Sequence, residues 1–206
     1  MFFRRIPPKN PKSTFHCKLL FKTDAVRNNR FSYAQPTNQA RHHQRTQRMA
    51  ATTHFICANL LISTYLMGIH PWWTEKRAEI EKMLHNMPQL LSHKQVIAVG
   101  ECGLDALRGA PLTEQSDVFK AQIAMAEAAQ LPVTLHVVRC FDRILQLHKL
   151  LHPTTQWTVH GFRGKPTLAQ QLLHAGINLS FGLRRNEESW QITPPHRRHV
   201  ESDEEG

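Results

Sequence analysis

The sequence predicts an α/β fold, a partial (β/α) barrel whose strands run mainly parallel. Three observations predict it. From about Trp72 onward, short apolar runs of strand length alternate with amphipathic stretches of helical period. Residue types that bind metal ions fall at the C-terminal ends of several of these runs, the edge where a (β/α) barrel builds its active site. The chain has 206 residues, whereas a complete (β/α)₈ barrel takes about 250, so the expected barrel is incomplete.

The elements follow in order. Thr74 is placed to cap a helix running to about Leu91, with Glu75 and Glu79 in its first turns and an apolar stripe of Ile80, Met83, Leu84 and Met87. Gln95–Val99 reads as a short strand ending at Gly100-Glu101. Thr113–Gln130 reads as a helix capped by Thr113, with Val118, Ile123, Met125 and Ala126 inward. Then come a strand over Pro132–Val137, a helix over Phe141–Leu151 and a strand over Trp157–Val159. A helix over Thr167–His174 stops at Gly176, and strands over Ile177–Phe181 and Arg198–Ser202 close the series. A further strand is expected near Ile56–Leu66. Strands alternating with helices at these lengths imply βα units.

The formal charge of +10 is concentrated. Residues 1–50 hold 11 of the 26 Lys and Arg but only one acidic residue, Asp24; the remainder has 15 of each sign and is neutral. The basic pI therefore says nothing about nucleic-acid binding by the folded part. Three readings of residues 1–50 stay open: a basic arm touching nucleic acid or anionic surfaces, a transit peptide, or an unstructured extension with a second start at Met49. The extension is the reading adopted, which makes 51–206 the hydrolase domain. Cys17, Cys57, Cys102 and Cys140 form no CxxC pair, so free thiols and a cytoplasmic location are expected. The longest uncharged apolar run, Phe55 to Trp73, is broken by Asn59, His70 and Pro71 and makes a poor membrane span.

The chemistry lies where polar residues follow apolar runs. Glu101 follows Val-Ile-Ala-Val-Gly, His136 ends Leu-Pro-Val-Thr-Leu, His160 follows Trp-Thr-Val, and Asp203 follows His-Val-Glu-Ser. One histidine after a strand is usually a packed or loop residue, but four such positions of Glu, His, His and Asp indicate a metal site. Imidazole and carboxylate are ligands for zinc and related ions, whose Lewis acidity drives hydrolysis near neutral pH. Arg108, Arg139, Arg163, Lys165, Arg184 and Arg185 also follow strand ends and are suited to phosphate contacts. Arg163 and Lys165 stand out, because Gly161 and Gly164 beside them allow close backbone approach. Cys102 and Cys140 have no neighbouring base and read as packing residues, and His148, His152 and His174 as surface histidines.

At these residues the chain resembles the TatD family of metal-dependent deoxyribonucleases. The resemblance is carried by Gly68-Ile69-His70-Pro71, Gly100-Glu101-Cys102-Gly103-Leu104-Asp105, Leu135-His136, His160-Gly161-Phe162, Leu179-Ser180-Phe181-Gly182 and Glu201-Ser202-Asp203. It implies a TIM-like barrel holding one or two divalent ions (Mg, Mn or Zn) and cleaving phosphodiester bonds in DNA, often from a 3′ end. On this chain it implies metal ligation by Glu101, His136, His160 and Asp203. Glu101 would bridge the ions, Asp203 would orient or deprotonate the attacking water, and His70, Arg163 and Lys165 would contact substrate. A monomer working on DNA without a membrane is the expectation.

The departures are equally specific. The family begins with a strand ending in His-x-His, and no His-x-His precedes Gly68. His42 and His43 are adjacent, so on an extended chain they point to opposite sides. The chain also ends at Gly206 without the family's last helix. One well-bound ion, a weaker second and impaired activity are therefore expected. The alternatives are an inactive or truncated family member serving as a binding protein, and an amidohydrolase. GExGLD and the lack of a strand-end lysine argue against the latter.

Overall fold

The computed structural model describes residues 2–3, 17–21 and 64–201. Within them, eight strands form one sheet in sequence order: β1 (Phe2–Phe3), β2 (Cys17–Phe21), β3 (Thr64–Met67), β4 (Val96–Asp105), β5 (Val133–Val138), β6 (Trp157–Val159), β7 (Asn178–Phe181) and β8 (Arg198–Val200). From β3 to β8 every neighbouring pair is parallel, while β1 and β2 add antiparallel pairs at one side. Helices α1 (Arg77–Leu91), α2 (Leu112–Ala129), α3 (Phe141–Leu151), α4 (Pro166–His174) and α5 (Glu187–Ile192) supply the crossovers. The α/β class and the six-stranded parallel part agree with the sequence reading. The sheet also takes Cys17–Phe21 and Phe2–Phe3 from the basic N-terminal segment. Most of the expected 56–66 strand lies outside the described residues, and its end is β3.

Alternation along the strands decides which face carries chemistry. Val133 and Leu135 of β5, Trp157 and Val159 of β6, and Leu179 and Phe181 of β7 all enter the main apolar core. That core also takes Phe119, Ile123 and Ala126 of α2, Ile144 and Leu147 of α3 and Leu172 of α4. Successive strand side chains point to opposite faces. Thr134, His136 and Ser180 therefore stand on the face away from the helices. Trp157 is completely buried at the centre, edge-on to Phe119 at 5.4 Å. It also receives the half-buried His148 edge-on at 4.8 Å, so this histidine packs where a surface position was expected.

Three local expectations change for tertiary reasons. The first helix starts at Arg77, not at a Thr74 cap. The Thr74 hydroxyl is already engaged, donating to Pro71 O at 2.6 Å and accepting the Ala110 amide at 3.0 Å. Strand β4 runs on through Gly100 to Asp105, because the β5 backbone pairs with it as far as Asp105↔Val138. A Cβ on Gly100 would lie 2.6 Å from Thr134 O, so glycine is what permits that approach. On α2 the inner face includes Gln115, Ser116 and Gln122, whereas Val118 and Met125 are only half-buried. Gln122 bridges both backbone groups of Ile69 (2.6 and 3.1 Å), which ties α2 to the segment just before His70.

Away from the strands' C-terminal edge, Glu127 near the end of α2 holds the α3–β6 turn. Its carboxylate accepts from the Thr154 amide and hydroxyl (3.0 and 2.5 Å) and from the Thr155 amide (2.9 Å) and hydroxyl. Burial alone would raise this carboxyl's pKa, but the four donors outweigh it and hold it at about 2. A depressed carboxyl contributes stability above its unfolded value, and that contribution is lost as pH falls from about 4.5 towards 2. Because the group is largely solvated, the contribution is no more than about 1 kcal/mol. Urea midpoints at pH 7 and pH 3 test this. Glu127→Gln is expected to lower the midpoint at pH 7 and to remove part of the difference between the two conditions. An unchanged pH 7 midpoint would rule the contribution out.

Candidate metal centre

Four of the residues singled out in the sequence meet at the C-terminal edge of the parallel strands. Glu101 comes from β4 and His136 from β5. His160 follows β6, and His70 sits at the turn Pro71–Trp73 after β3. Their common point is the Glu101 carboxylate. Its Oε2 lies 3.8 Å from His70 Nε2 and 3.9 Å from His136 Nδ1, and its Oε1 lies 3.7 Å from His160 Nε2. All three rings are mostly buried.

The far nitrogens of two of these rings face other acids. His136 Nε2 is 3.1 Å from Asp105 Oδ2, and His160 Nδ1 is 2.7 Å from Glu201 Oε2. A carboxylate only accepts, so the His136 nitrogen that bonds Asp105 carries the hydrogen, whereas the His160–Glu201 contact is a close approach that lacks hydrogen-bond geometry. The opposite nitrogen of the neutral His136 ring, facing Glu101, is then proton-free. Burial lowers the His136 pKa, outweighing the Asp105 hydrogen bond and the Glu101 charge, which keeps the ring neutral. A lone pair of His136 thus confronts Glu101 Oε2 with no proton between them, and His160 Nε2 lies beside Oε1. A cation relieves that arrangement, and two imidazoles with a carboxylate are donors that zinc and related divalent ions accept. The ligand atoms of His70, Glu101 and His136 all lie within 4.8 Å of one another, and His160 approaches Glu101 through its other oxygen, so such an ion could be held by Glu101 and His136 with either further ring.

His70 is set differently. It belongs to the compact group with Glu101 and His136, but its Nδ1 accepts the Trp72 amide at 3.3 Å. The hydrogen of the neutral ring then sits on Nε2, so His70 presents a donor to the site. That suits a substrate oxygen or Glu101 itself.

Two carboxylates that stand behind the His136 and His160 rings went unassigned in the sequence. Asp105 is buried, and its Oδ2 also accepts Trp72 Nε1 at 2.5 Å while Oδ1 accepts the Leu107 amide at 2.8 Å. Burial would raise its pKa, but the donors Trp72, Leu107 and His136 prevail and lower it. Glu201, also buried, is fixed by the Ser180 hydroxyl at 2.6 Å. The signal was present in GLD and ESD, but which ring each acid meets depends on strand register. Asp203 lies outside the described residues.

The basic residues behave unequally. Arg108, Arg139, Arg163, Lys165, Arg184 and Arg185 are all exposed, in the loops that follow β4 to β7. These loops contain no acidic residue, and the opposite edge, in loops 92–95, 130–132, 152–156, 175–177 and 193–197, carries only Lys94 and Arg197. Arg185 is committed to Glu187 at 3.1 Å and to the Trp190 ring at 4.3 Å. Gly164, between Arg163 and Lys165, is pressed against the Phe162 ring. Cys102 and Cys140 are buried, and burial first of all raises both thiols, Cys140 to about 11. Neither is a nucleophile at neutral pH.

Comparison with known proteins gives the same picture. The profile of the TatD related DNase family matches residues 15–204. The uncharacterized metal-dependent hydrolase YjjV of Escherichia coli K12 is 33% identical over 121 residues, which cover 56% of this chain and 45% of that one. The 3′-5′ ssDNA/RNA exonuclease TatD of Musicola paradisiaca is 33% identical over 118 residues, 54% of this chain and 42% of that one. The crystal structure of E. coli YjjV, a TatD homolog, superposes with a TM-score of 0.60 at 26% identity, over 66% of this chain and 56% of that one. The chain spans about half the length of the curated relatives it matches. Among the described residues no helix is long and apolar enough to cross a membrane. By its motifs, its sheet and the profile match over most of its length, the chain belongs to the TatD family of metal-dependent hydrolases.

Proposed function

We propose that this protein hydrolyses phosphodiester bonds in DNA, removing nucleotides from a 3′ end, with Glu101, His136 and His160 holding a divalent ion. One observation carries the reading: two histidine ring nitrogens face one buried carboxylate, and each ring has another acid behind it. The ion, Mg, Mn or Zn, would supply Lewis acidity to the phosphoryl group. Asp105 keeps the His136 ring in the tautomer that leaves its lone pair towards Glu101, and Glu201 stands behind His160. His70 offers an N–H to a phosphate oxygen. Arg163 and Lys165 are proposed as phosphate contacts, supported by the basic, acid-free loops that follow β4 to β7. Asp203 is proposed, on its motif, as ligand of a second ion and as the group that orients the attacking water. Single-stranded DNA is the proposed form, because relatives of this chain are named ssDNA/RNA exonucleases.

Calorimetric titration with Mn²⁺, Zn²⁺ and Mg²⁺ beside degradation of a 3′-labelled single strand tests the proposal. One tightly bound ion, a weaker second and slow cleavage abolished by EDTA are expected. Absence of binding by any divalent ion would remove the proposal and favour a non-catalytic family member. Two tight ions with rapid cleavage would overturn the expectation of a single strong site.

A further inference from the structure

We infer that Arg108, held over the Trp72 indole at the rim of the candidate metal centre, contacts the phosphate next to the one being cleaved in a single strand. The inference rests on the phosphodiesterase reading above and adds to it a residue that neither the motifs nor the ligand geometry require.

Position comes first. The Trp72 ring lies edge-on to the His136 ring at 5.5 Å, and the Arg108 guanidinium sits 4.5 Å from the centre of the Trp72 ring. Trp72 is itself fixed, because its Nε1–H donates to the same Asp105 oxygen that holds His136. Two ring contacts therefore connect the ligand histidine to an exposed cation. A strand whose reacting phosphate lies at the Glu101 centre passes this rim with its neighbouring phosphate.

The loop is also built to hold that cation still. Ala106 N bonds Val138 O at 3.0 Å, and Leu107 N bonds Asp105. The buried Gln115 amide donates to Asp105 O, Arg108 O and Ala110 O at 3.0, 2.8 and 2.7 Å. Gly109 has φ +83, and a Cβ there would meet Pro71 O at 2.1 Å, so the loop lies directly on the turn bearing Trp72. A loop whose charge is merely solvated has no need of such bracing, whereas a preorganised contact loses less entropy on binding. Arg108 forms no ion pair among the described residues, in contrast to Arg185. A guanidinium stacked on an aromatic ring keeps its in-plane N–H donors for phosphate oxygens.

The test uses the full chain and a short fluorescein-labelled oligodeoxythymidylate, followed by anisotropy over a series of salt concentrations. It is run in EDTA and again with Mn²⁺ on a phosphorothioate-linked strand. Arg108→Ala is expected to weaken binding about three- to fivefold and to reduce the slope of log K against log salt by about 0.7, the value for one single-strand phosphate contact. Arg108→Lys should keep the slope and lose part of the affinity. Metal affinity, measured by calorimetry, should stay at the wild-type value in both. Wild-type slope and affinity in Arg108→Ala would overturn the inference while leaving the phosphodiesterase reading in place. So would a parallel fall in metal affinity, which would mark Arg108 as a structural support of the centre. Failure of the wild-type protein to bind the strand under either condition would overturn both.

Discussion

His136→Ala and His160→Ala are each expected to weaken divalent-ion binding by more than about 100-fold, exceeding the cost of losing a supporting carboxylate. Each change removes one of the two ring nitrogens that face Glu101. Calorimetry gives the affinity directly, and urea denaturation of the metal-free proteins separates it from folding. Both rings are mostly buried but sit on the face away from the main core, so the metal-free variants should stay folded with losses of about 1–2 kcal/mol. His70→Ala is the informative control. Its Nδ1 is occupied by the Trp72 amide, so its removal should leave metal affinity within about tenfold of wild type and lower substrate turnover instead. Equal metal losses in all three variants would show that His70 is a ligand and that its inferred tautomer is wrong.

Asp105→Asn should cost about 10- to 100-fold in metal affinity although no ligand atom is touched. In the native protein Asp105 accepts three hydrogen bonds, from Trp72, His136 and Leu107. An asparagine has one accepting oxygen and one donating amide. If the amide faces His136, it also confronts the Trp72 Nε1–H that shares the same oxygen, and it requires a proton-free His136 Nε2, moving the ring hydrogen to Nδ1, where it opposes the ion. If the amide faces Leu107 instead, two donors confront each other in a buried site, at about 1–3 kcal/mol. Loss of the slowly exchanging His136 ring N–H from the proton spectrum, together with reduced metal affinity, would identify the first outcome. Unchanged metal affinity with the ring signal intact would show that Asp105 supports the loop and not the ligand. Glu201→Gln makes the matching test at His160, where Glu201 accepts the Ser180 hydroxyl.

The sequence by itself determined the order of helices α1 to α4 and of the parallel strands, and it singled out Glu101, His136, His160 and His70, which the fold brings together. These were legible because they depend on local periodicity and on position relative to a strand end. The α3 and β6 boundaries match the sequence reading residue for residue. The six-residue α5 went unread, since it is too short for a periodic apolar signal and depends on the Asn186 side chain capping the Ser189 amide at 2.9 Å.

Only the tertiary structure decided which acid stands behind which ring. Asp105 meets His136 because β4 continues past two glycines in register with β5, and Glu201 meets His160 because β8 aligns with β7. It likewise took Thr74 from its expected helix cap to the loop of Arg108, and brought that arginine over Trp72. These pairings join residues that are 31 or more positions apart in the chain and follow from strand register and loop packing, quantities that no local pattern of side chains encodes.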